Sequence, residues 1–358
     1  MRRRATIAIT AATVLSLILA SMVVGPVAAR GPAGGQDARA ERAERAERTE
    51  RAERAERAEH DRVMAYWTAE RIATAQPRDF VRTAGGGFVP RAKPPRPGGG
   101  TVTGASWTGG GPVVQRTGKV LFTMGGGNYV CSATVIQEPT ARSTHSLVLT
   151  AAHCAYDEVA TAFATNWIFV PSFDTSPTFT CANATIGCWT AVGLVVHSGY
   201  ANAGGFNTEA TKHDFAIAIV AGGGTTGTST QLDTAVGGGY GVSYPAISTG
   251  GSVHAFGYPA AGRYKGNDLT YCAGPTFNDS LNGNATWGIS CNMTGGSSGG
   301  PWLAGFTQGG AGTMTSLNSY GYSGLSNMYG PKFNANTRAV VDAAAARTSS
   351  CIVPDCAP

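Results

Sequence analysis

The chain has 358 residues, of which 42% are apolar, 14% are charged and 50 are glycines. This length allows one large domain or two modest ones, and this composition suits short strands joined by many turns rather than a helical bundle. The net charge of +5 lies at the N-terminal end, because residues 100–358 hold 9 Lys and Arg against 11 Asp and Glu, so the larger part of the chain has no basic patch for nucleic acid.

The first residues have the pattern of a secretory signal peptide. MRRR is followed by an apolar run over residues 5–24 and then by small residues at Val27 and Ala29. We therefore predict a signal peptide over residues 1–29 and a secreted protein without a second membrane span. An uncleaved membrane anchor is the alternative, because the apolar run is long, but its Thr and Ser content and its Ala-rich end favour cleavage.

Residues 30–112 have the composition of a pro-region. Triplets of Ala, Glu and Arg repeat over residues 40–60, and each Glu from Glu41 to Glu53 precedes an Arg by four residues, which favours a helix. Since the repeat has no apolar stripe, we interpret it as a solvent-exposed helical spacer. Because Glu balances Arg along its length, the repeat is not expected to bind nucleic acid.

A short apolar helix and a linker are expected after the repeats. The residues predicted to share one apolar helical face are Val63, Tyr66, Trp67, Ile72 and Ala75, and Pro77 is expected to end that helix. Residues 83–112 are rich in Gly, Pro and basic side chains, which is typical of a linker. We expect the mature protein to begin between about residues 90 and 116.

The remainder of the chain has the pattern of an all-β protein. Short runs rich in β-branched and aromatic residues recur, and turns rich in Gly, Asn and Ser separate them. The predicted strands are KVLFTM, YVCSATVI, SLVLTA, WIFVPS, AVGLVVH, FAIAIV, SVHAFGYP, LTYCAG, TWGISC and TMTSLNSYG. Only residues 336–347 are predicted to be helical. This spacing predicts a sandwich or a barrel.

The eight cysteines all follow residue 130, and an even number in an exported chain favours disulfide bonds. The chain has no CxxC spacing, so a zinc site is not expected. Sequence alone leaves many pairings open, and pairing each cysteine with its nearest neighbour is the simplest choice. The resulting bonds are Cys131–Cys154, Cys181–Cys188, Cys272–Cys291 and Cys351–Cys356.

Residues 295–301 read GGSSGGP, which is a candidate loop for a nucleophilic serine. Such a serine needs a base, an acid that orients the base and backbone N–H groups for the oxyanion. The segment also fits the G-x-S-x-G motif of α/β-hydrolases, but there the histidine follows the serine, and the last histidine here is His254.

The order His, acid, Ser remains, with His153 in VLTAAHC and Asp214 in HDFAIAIV, where a carboxylate entering an apolar strand is costly unless it is paired. His197, His213 and His254 are interpreted as structural.

The segments LTAAHC, HDFAIAIV and GGSSGGP resemble the signature segments of the trypsin-like (chymotrypsin-fold) serine peptidases, especially the secreted bacterial members. The resemblance covers residues 113–346 and implies two antiparallel six-stranded β-barrels with the site between them, followed by a C-terminal helix and a tail over residues 347–358. It implies Ser298 as nucleophile and His153 as general base and then general acid. Asp214 would orient His153, and the N–H groups of Gly296 and Ser298 would form the oxyanion hole. Cys131 and Cys154 match the family disulfide at the histidine loop.

The resemblance also implies where substrate binds. The substrate-binding positions are Asn292, Met293, Ser319, Tyr320 and Gly321. Asn292 stands where Asp would favour Lys or Arg, and Ser319 stands where some bacterial relatives have a His that favours Glu, so neither strict preference is expected. Ser319 is also a candidate hydrogen-bond donor to the buried Asp214.

Ser297 departs from the pattern of the animal digestive members, which have Asp at this position. In those enzymes the Asp pairs with the newly freed N-terminal ammonium, and a neutral hydroxyl cannot form that ion pair. We therefore expect that removal of a blocking pro-segment activates the protein.

The expected function is that of a secreted serine endopeptidase, a monomer that acts on protein or peptide substrates and has its own pro-region as a partner. No metal, no organic cofactor, no nucleic acid and, after signal cleavage, no membrane is expected to bind. Two alternatives stay open: an esterase that uses the same triad, and a non-catalytic binding module on the same fold. The binding module predicts loss of a triad residue, and none is lost.

Overall fold

The computed structural model describes residues 34–83, 85–90, 102–139, 145–175, 178–224, 230–245 and 247–356. The predicted signal peptide and residues 91–101 of the predicted linker lie outside the described residues. The described part of the chain divides between Ala52 and Glu53 into two compact units, and the part that begins at Glu53 is called the second unit. Within the described residues, no helix is both long enough and apolar enough to cross a membrane.

The helices after the first have 11 residues or fewer, and the second unit contains more strand than helix. The helices are α1 (Gly34–Tyr66), α2 (Ala69–Thr74), α3 (Pro112–Arg116), α4 (Ser198–Ala201), α5 (Thr208–Lys212), α6 (Leu232–Ala235) and α7 (Ala335–Ala345). The strands are β1 (Gln76–Pro77), β2 (Phe80–Arg82), β3 (Phe88–Pro90), β4 (Val102–Ser106), β5 (Thr117–Met124), β6 (Gly127–Ile136), β7 (His145–Thr150), β8 (Tyr156–Asp157), β9 (Ala162–Phe163), β10 (Thr165–Pro171), β11 (Trp189–His197), β12 (Ala216–Ala221), β13 (Gly241–Val242), β14 (Ser252–Gly257), β15 (Thr270–Pro275), β16 (Phe277–Asn278), β17 (Thr286–Ser290), β18 (Pro301–Ala304), β19 (Thr313–Leu317), β20 (Tyr320–Tyr322), β21 (Asn327–Pro331) and β22 (Cys351–Val353).

Helix α1 runs through the Ala-Glu-Arg repeats, and its side chains over residues 38–55 are exposed. Oppositely charged side chains one turn apart support it, as where Arg48 Nη2 lies 3.5 Å from Glu44 Oε1. Exposed pairs of this kind contribute only about 0.3–0.5 kcal/mol each. The repeat therefore sustains a helix without a buried face.

The apolar face predicted after the repeats is divided between two helices rather than carried by one. Val63, Trp67 and Ile72 are buried, but α1 ends at Tyr66 and α2 starts after Thr68. The Thr68 side chain accepts a hydrogen bond from Arg71 N–H, which caps α2 and breaks the helix.

The first half of the second unit contains a closed antiparallel barrel of six strands. Strands β6, β5, β10, β11, β12 and β7 pair in this order, and pairing of β7 with β6 closes the ring. The strand β5 is buried along its whole length, including Lys119 and its two threonines. Two outer strands join in parallel, β1 on β6 and β22 on β11.

The second half forms two sheets, ordered β13-β19-β18-β14-β15-β4 and β16-β17-β21-β20-β2-β3. The run TMTSLNSYG, predicted as one strand, is divided into β19 and β20, which lie in different sheets. Asn318 lies between the two strands. Its side-chain amide donates to the carbonyl oxygens of Phe256 and Ser297, and this interrupts the strand pattern. Helix α7 ends this part of the chain, one residue earlier at its start than predicted. The expected all-β fold with a C-terminal helix is confirmed.

The predicted boundary at residue 113 does not coincide with the start of the folded sheets. Strand β4 was assigned from sequence to the linker, yet it pairs with β15 along residues 270–273. Its partner lies more than 150 residues away along the chain, so local composition could not reveal the pairing. Residues 102–106 are thus part of the second-half sheet.

Four disulfide bonds cross-link these strands and loops. They join Cys131 with Cys154, Cys181 with Cys188, Cys272 with Cys291, and Cys351 with Cys356. The first connects β6 to the turn after β7 and so fixes the position of His153.

Candidate active site

His153 and Asp214 lie side by side where two barrel strands meet the second half of the unit. His153 occupies a single 3₁₀ turn directly after β7, and Asp214 precedes β12, the antiparallel neighbour of β7. Both side chains have 0% exposure. The pairing of β7 with β12 therefore brings together two residues that are 61 positions apart.

The Asp214 carboxylate is held by three donors. His153 Nδ1 lies 2.8 Å from Oδ2, His153 N–H donates to Oδ1 at 2.9 Å, and Ser319 Oγ donates to Oδ2 at 2.5 Å. The carboxylate contacts the ring at Nδ1 and so fixes its orientation. The other nitrogen, Nε2, consequently faces the cleft.

Ser298 sits on a tight loop that only glycines allow. Gly296 and Gly299 have φ angles of 95° and 84°, in the left-handed region. A Cβ on Gly299 would lie 2.2 Å from Thr150 Oγ1 and 2.3 Å from Ser132 O. Ser132 N–H donates to Ser298 O at 2.7 Å, so the loop is fixed against β6.

Two peptide N–H groups of the Ser298 loop are available as hydrogen-bond donors. Among the described residues, neither the Gly296 N–H nor the Ser298 N–H has a hydrogen-bond partner. Ser297, between them, is held locally, because its N–H and its hydroxyl donate to Thr294 O at 3.2 Å and 2.8 Å. The arrangement offers two adjacent donors that could stabilise an oxyanion.

A segment from the predicted pro-region crosses this site. Strand β1 pairs with β6 on one side of Ser298, and β2 pairs with β20 on the other, with Val81 opposite Gly321. Between the two strands, Ser298 Oγ donates to Asp79 Oδ1 at 3.4 Å and His153 Nε2 lies 3.1 Å from Arg78 O. Asp79 is only 5% exposed.

This segment separates the two residues expected to form the nucleophile–base pair. In the described part of the chain, Ser298 Oγ and His153 Nε2 share no hydrogen bond, and each is bound to the segment instead. A carbonyl oxygen only accepts, so Nε2 must donate, and Nδ1 already faces a carboxylate. The contact with Arg78 O therefore occupies the nitrogen that would have to accept the Ser298 proton.

Arg78 and Phe80 anchor the segment on either side of Asp79. Arg78 donates to His153 O and places Nη2 3.8 Å from Oε2 of the buried Glu158, which also accepts from Tyr200 OH at 2.9 Å. Burial and the nearby Glu158 raise the pKa of Tyr200 well above its usual value, so this hydroxyl stays a donor. The Phe80 ring stacks on Phe206 at 4.1 Å with an interplanar angle of 3°.

None of these anchoring residues was a candidate from sequence. Strands of two and three residues are too short for an alternation pattern, and the only signal was a charged pair next to an aromatic residue just after Pro77.

The substrate-binding positions fall into different environments. Asn292 is buried, and its Oδ1 accepts from Tyr264 OH at 2.6 Å and from Arg263 Nη2 at 2.9 Å. Met293 is fully buried behind it. Tyr320 directs its hydroxyl away from the cleft, to Asp279 Oδ2 at 2.5 Å. In the backbone pairing, Tyr320 and Gly321 lie opposite Phe80 and Val81 of the bound segment.

The other histidines lie apart from this cluster. His197 and His213 stack on each other at 4.6 Å, and His254 packs against Phe306 at 4.9 Å. His213 ends helix α5 rather than lying on a strand as the sequence indicated. Within the described residues, the one group with metal-ligating atoms is Cys131, His153 and Cys154, and its two sulfurs are joined in a disulfide and so are not thiolate ligands.

Solved structures of proteases are similar to this chain. Protease Anisep from Arthrobacter nicotinovorans is 38% identical, with a TM-score of 0.57 over 68% of this chain and 100% of its own. The thermostable serine protease AL20 from an extremophilic microorganism is 35% identical, with a TM-score of 0.55 over 66% of this chain and 99% of its own. A Glu endopeptidase shares the fold at 20% identity, with a TM-score of 0.51 over 69% of this chain and 99% of its own. No protein-family model and no curated protein matches the chain.

Proposed function

The chain belongs to the trypsin-like (chymotrypsin-fold) serine proteases, and on this premise we propose that it is a secreted serine endopeptidase made as a zymogen. Ser298 is the nucleophile, His153 the general base and then the general acid, and Asp214 the residue that orients His153. The observation that carries the proposal is the Asp214 carboxylate, which is buried and held by His153 and by Ser319, the residue after the Asn318 that binds the Ser298 loop.

Each step of the proposed reaction is assigned to a particular group of this site. Once Nε2 is free of Arg78 and deprotonated, His153 takes the Ser298 proton as the hydroxyl attacks the peptide carbonyl. The N–H groups of Gly296 and Ser298 stabilise the oxyanion, and His153 then protonates the departing amine. Water, activated by the same histidine, releases the acyl group from Ser298.

The segment over residues 76–82 is the proposed block in the zymogen. It offers Ser298 the Asp79 carboxylate, which is a poor electrophile because its charge is delocalised. The Arg78 carbonyl occupies Nε2 of His153. Removal of the segment therefore restores both the base and the access to Ser298.

Cleavage of intact proteins tests this function. We expect the activated protein to cut casein and a mixed peptide library, and a Ser298→Ala variant to cut neither. Cleavage of simple esters with casein and all peptides left intact would instead assign an esterase. Failure to react with either substrate class would favour a binding module.

Ser319→Ala is expected to lower kcat about 10-fold with little change in KM. The substitution removes one hydrogen bond to an ionised carboxylate, an interaction of about 1.5–3 kcal/mol, but leaves the contacts of Asp214 with His153. Steady-state kinetics on one chromogenic peptide measure both parameters. A loss confined to KM would show that Ser319 acts on substrate rather than through Asp214.

Activation is expected not to depend on the identity of the new N-terminus. Ser297 is satisfied by Thr294 and needs no ammonium partner. Mature forms that begin at several positions between residues 91 and 101 should therefore have kcat/KM values within about threefold of each other, which is less than 1 kcal/mol. High activity from one start position alone would contradict this.

A further inference from the structure

Lys119 is a buried cation without an anion. Its side chain is 6% exposed, and its ammonium lies 4.0 Å from the centroid of the Phe173 ring. Among the described residues, Lys119 has no carboxylate partner. A cation–π contact offsets only part of the lost hydration, so the site favours an incoming anion. Burial lowers the pKa of Lys119 to about 7, consistent with this lack of a counter-charge.

Lys119 faces the active-site loop. It pairs with Ser132 across β5 and β6, so the two side chains share one face of the barrel. Ser132 Oγ donates to Gly296 O at 2.8 Å and accepts from Tyr258 N–H at 2.8 Å. The Lys119 ammonium is thus one strand away from the loop that carries Ser298.

A cavity of about 410 Å³ opens beside Lys119. Its walls include Phe173 and Phe179, and Lys265 adds a second cation. Another part of its wall comes from α2, β1 and the residue between them, at Ala69, Ile72, Ala73, Ala75, Gln76 and Pro77, so release of the blocking segment opens this side of the cavity. These residues are neutral and do not supply the missing anion.

The cavity lies on the leaving-group side of Ser298. The segment runs from β6, beside the cavity, past Ser298 to β20, which directly follows Ser319. The primary pocket expected at Asn292 and Ser319 holds the residue whose carbonyl is attacked. The opposite end of the cleft therefore receives the residues that depart with the amine.

We propose that this cavity is a subsite for an acidic side chain on the leaving-group side of the substrate, with Lys119 as its specificity-determining residue. The inference rests on the proposed endopeptidase function. A carboxylate entering the cavity receives charge-assisted hydrogen bonds from Lys119 beside the Phe173 ring, and such bonds are stronger than those between neutral groups. Neutral residues at the same position leave the ammonium unpaired.

Matched peptides test the subsite in the activated protein. Pairs that differ only by Glu or Gln at the first, second or third position after the scissile bond are compared by kcat/KM. We expect a preference for Glu of about 10-fold or more at one of these positions. Lys119→Met should remove this preference and leave kcat/KM unchanged for the Gln peptides. It should also leave unchanged the cleavage of chromogenic amides, which have no amino acid on the leaving side.

Lys332→Met is the matched control. The Lys332 ammonium also lies 4.0 Å from the centroid of an aromatic ring, that of Trp287, but it donates to Asn278 and Asn284, away from the cleft. This variant should keep the preference for Glu. Lys119→Gln is a second test variant of similar length, should the Met variant fail to fold.

Two results would overturn the subsite. One is equal cleavage of Glu and Gln peptides at all three positions by the unaltered protein, and the other is a Glu preference that survives in both Lys119 variants. If the chromogenic amides are cleaved in those experiments, the endopeptidase proposal stands while the subsite fails. If neither amides nor peptides are cleaved, both fail.

Discussion

Asp214→Asn is expected to lower kcat of the activated protein about 10⁴-fold, because an amide no longer fixes the His153 tautomer. The amide introduced at this position would offer a donor where Nδ1–H now donates to Oδ2 at 2.8 Å, so the ring would have to place its proton on Nε2. A proton on Nε2 removes the base from Ser298. Turnover of a chromogenic peptide from pH 6 to pH 10 measures the loss.

Asp279→Asn is the matched control for this variant. Asp279 is also buried, and its carboxylate accepts from Tyr320 OH and Tyr322 OH, but it does not contact His153. Its replacement should lower the melting temperature, with kcat reduced less than 10-fold in the folded fraction. A loss of similar size in both variants, or less than 10-fold in Asp214→Asn, would contradict the assigned role of Asp214.

Release of the blocking segment is expected to raise kcat/KM about 100-fold or more. A cleavage site for a sequence-specific protease, placed within residues 91–100, allows one preparation to be assayed before and after cutting and separation. The strand pairings, the ion pair and the ring contacts of residues 76–82 stabilise the blocked form, and 100-fold occupancy needs only about 2.7 kcal/mol. An uncut chain as active as the separated one would refute the block.

Arg78→Ala in the uncut chain should recover part of that activity. It removes the ion pair with Glu158 and the hydrogen bond to His153 O, which together hold the segment next to the nucleophile. Arg71→Ala serves as the control, since Arg71 contacts Tyr66 on the neighbouring helix, away from the nucleophile. Equal effects of the two variants would show that Arg78 has no special part in the block.

The sequence was most informative where a residue pattern is long or chemically specific. The strands of the closed barrel follow short runs of apolar and β-branched residues, as in AIAIVA of β12, which are typical of buried strands. The segments around His153, Asp214 and Ser298 were recognisable because a buried carboxylate and a glycine-lined serine are uncommon in apolar surroundings.

The parts that the sequence could not reveal depend on pairing between distant residues. Strand β4 is short and contains a glycine, and the segment over residues 76–82 is short and mostly polar. Strand β4 pairs with β15, and β2 within that segment pairs with β20, in both cases more than 150 residues away along the chain. Lys119 begins a predicted strand, where a lysine is typical of an exposed end. The loop over residues 260–267 and Phe173 bury it instead.

Labelling with a serine-directed covalent inhibitor, followed by mass spectrometry of the modified peptide, tests the central claim most directly. Without the segment over residues 76–82, the protein should carry one label on Ser298, and the uncut chain should react about 100-fold more slowly, in proportion to the occupancy of the cleft. Label on Ser297, equal labelling of a Ser298→Ala variant, or no label in the separated protein would contradict the account.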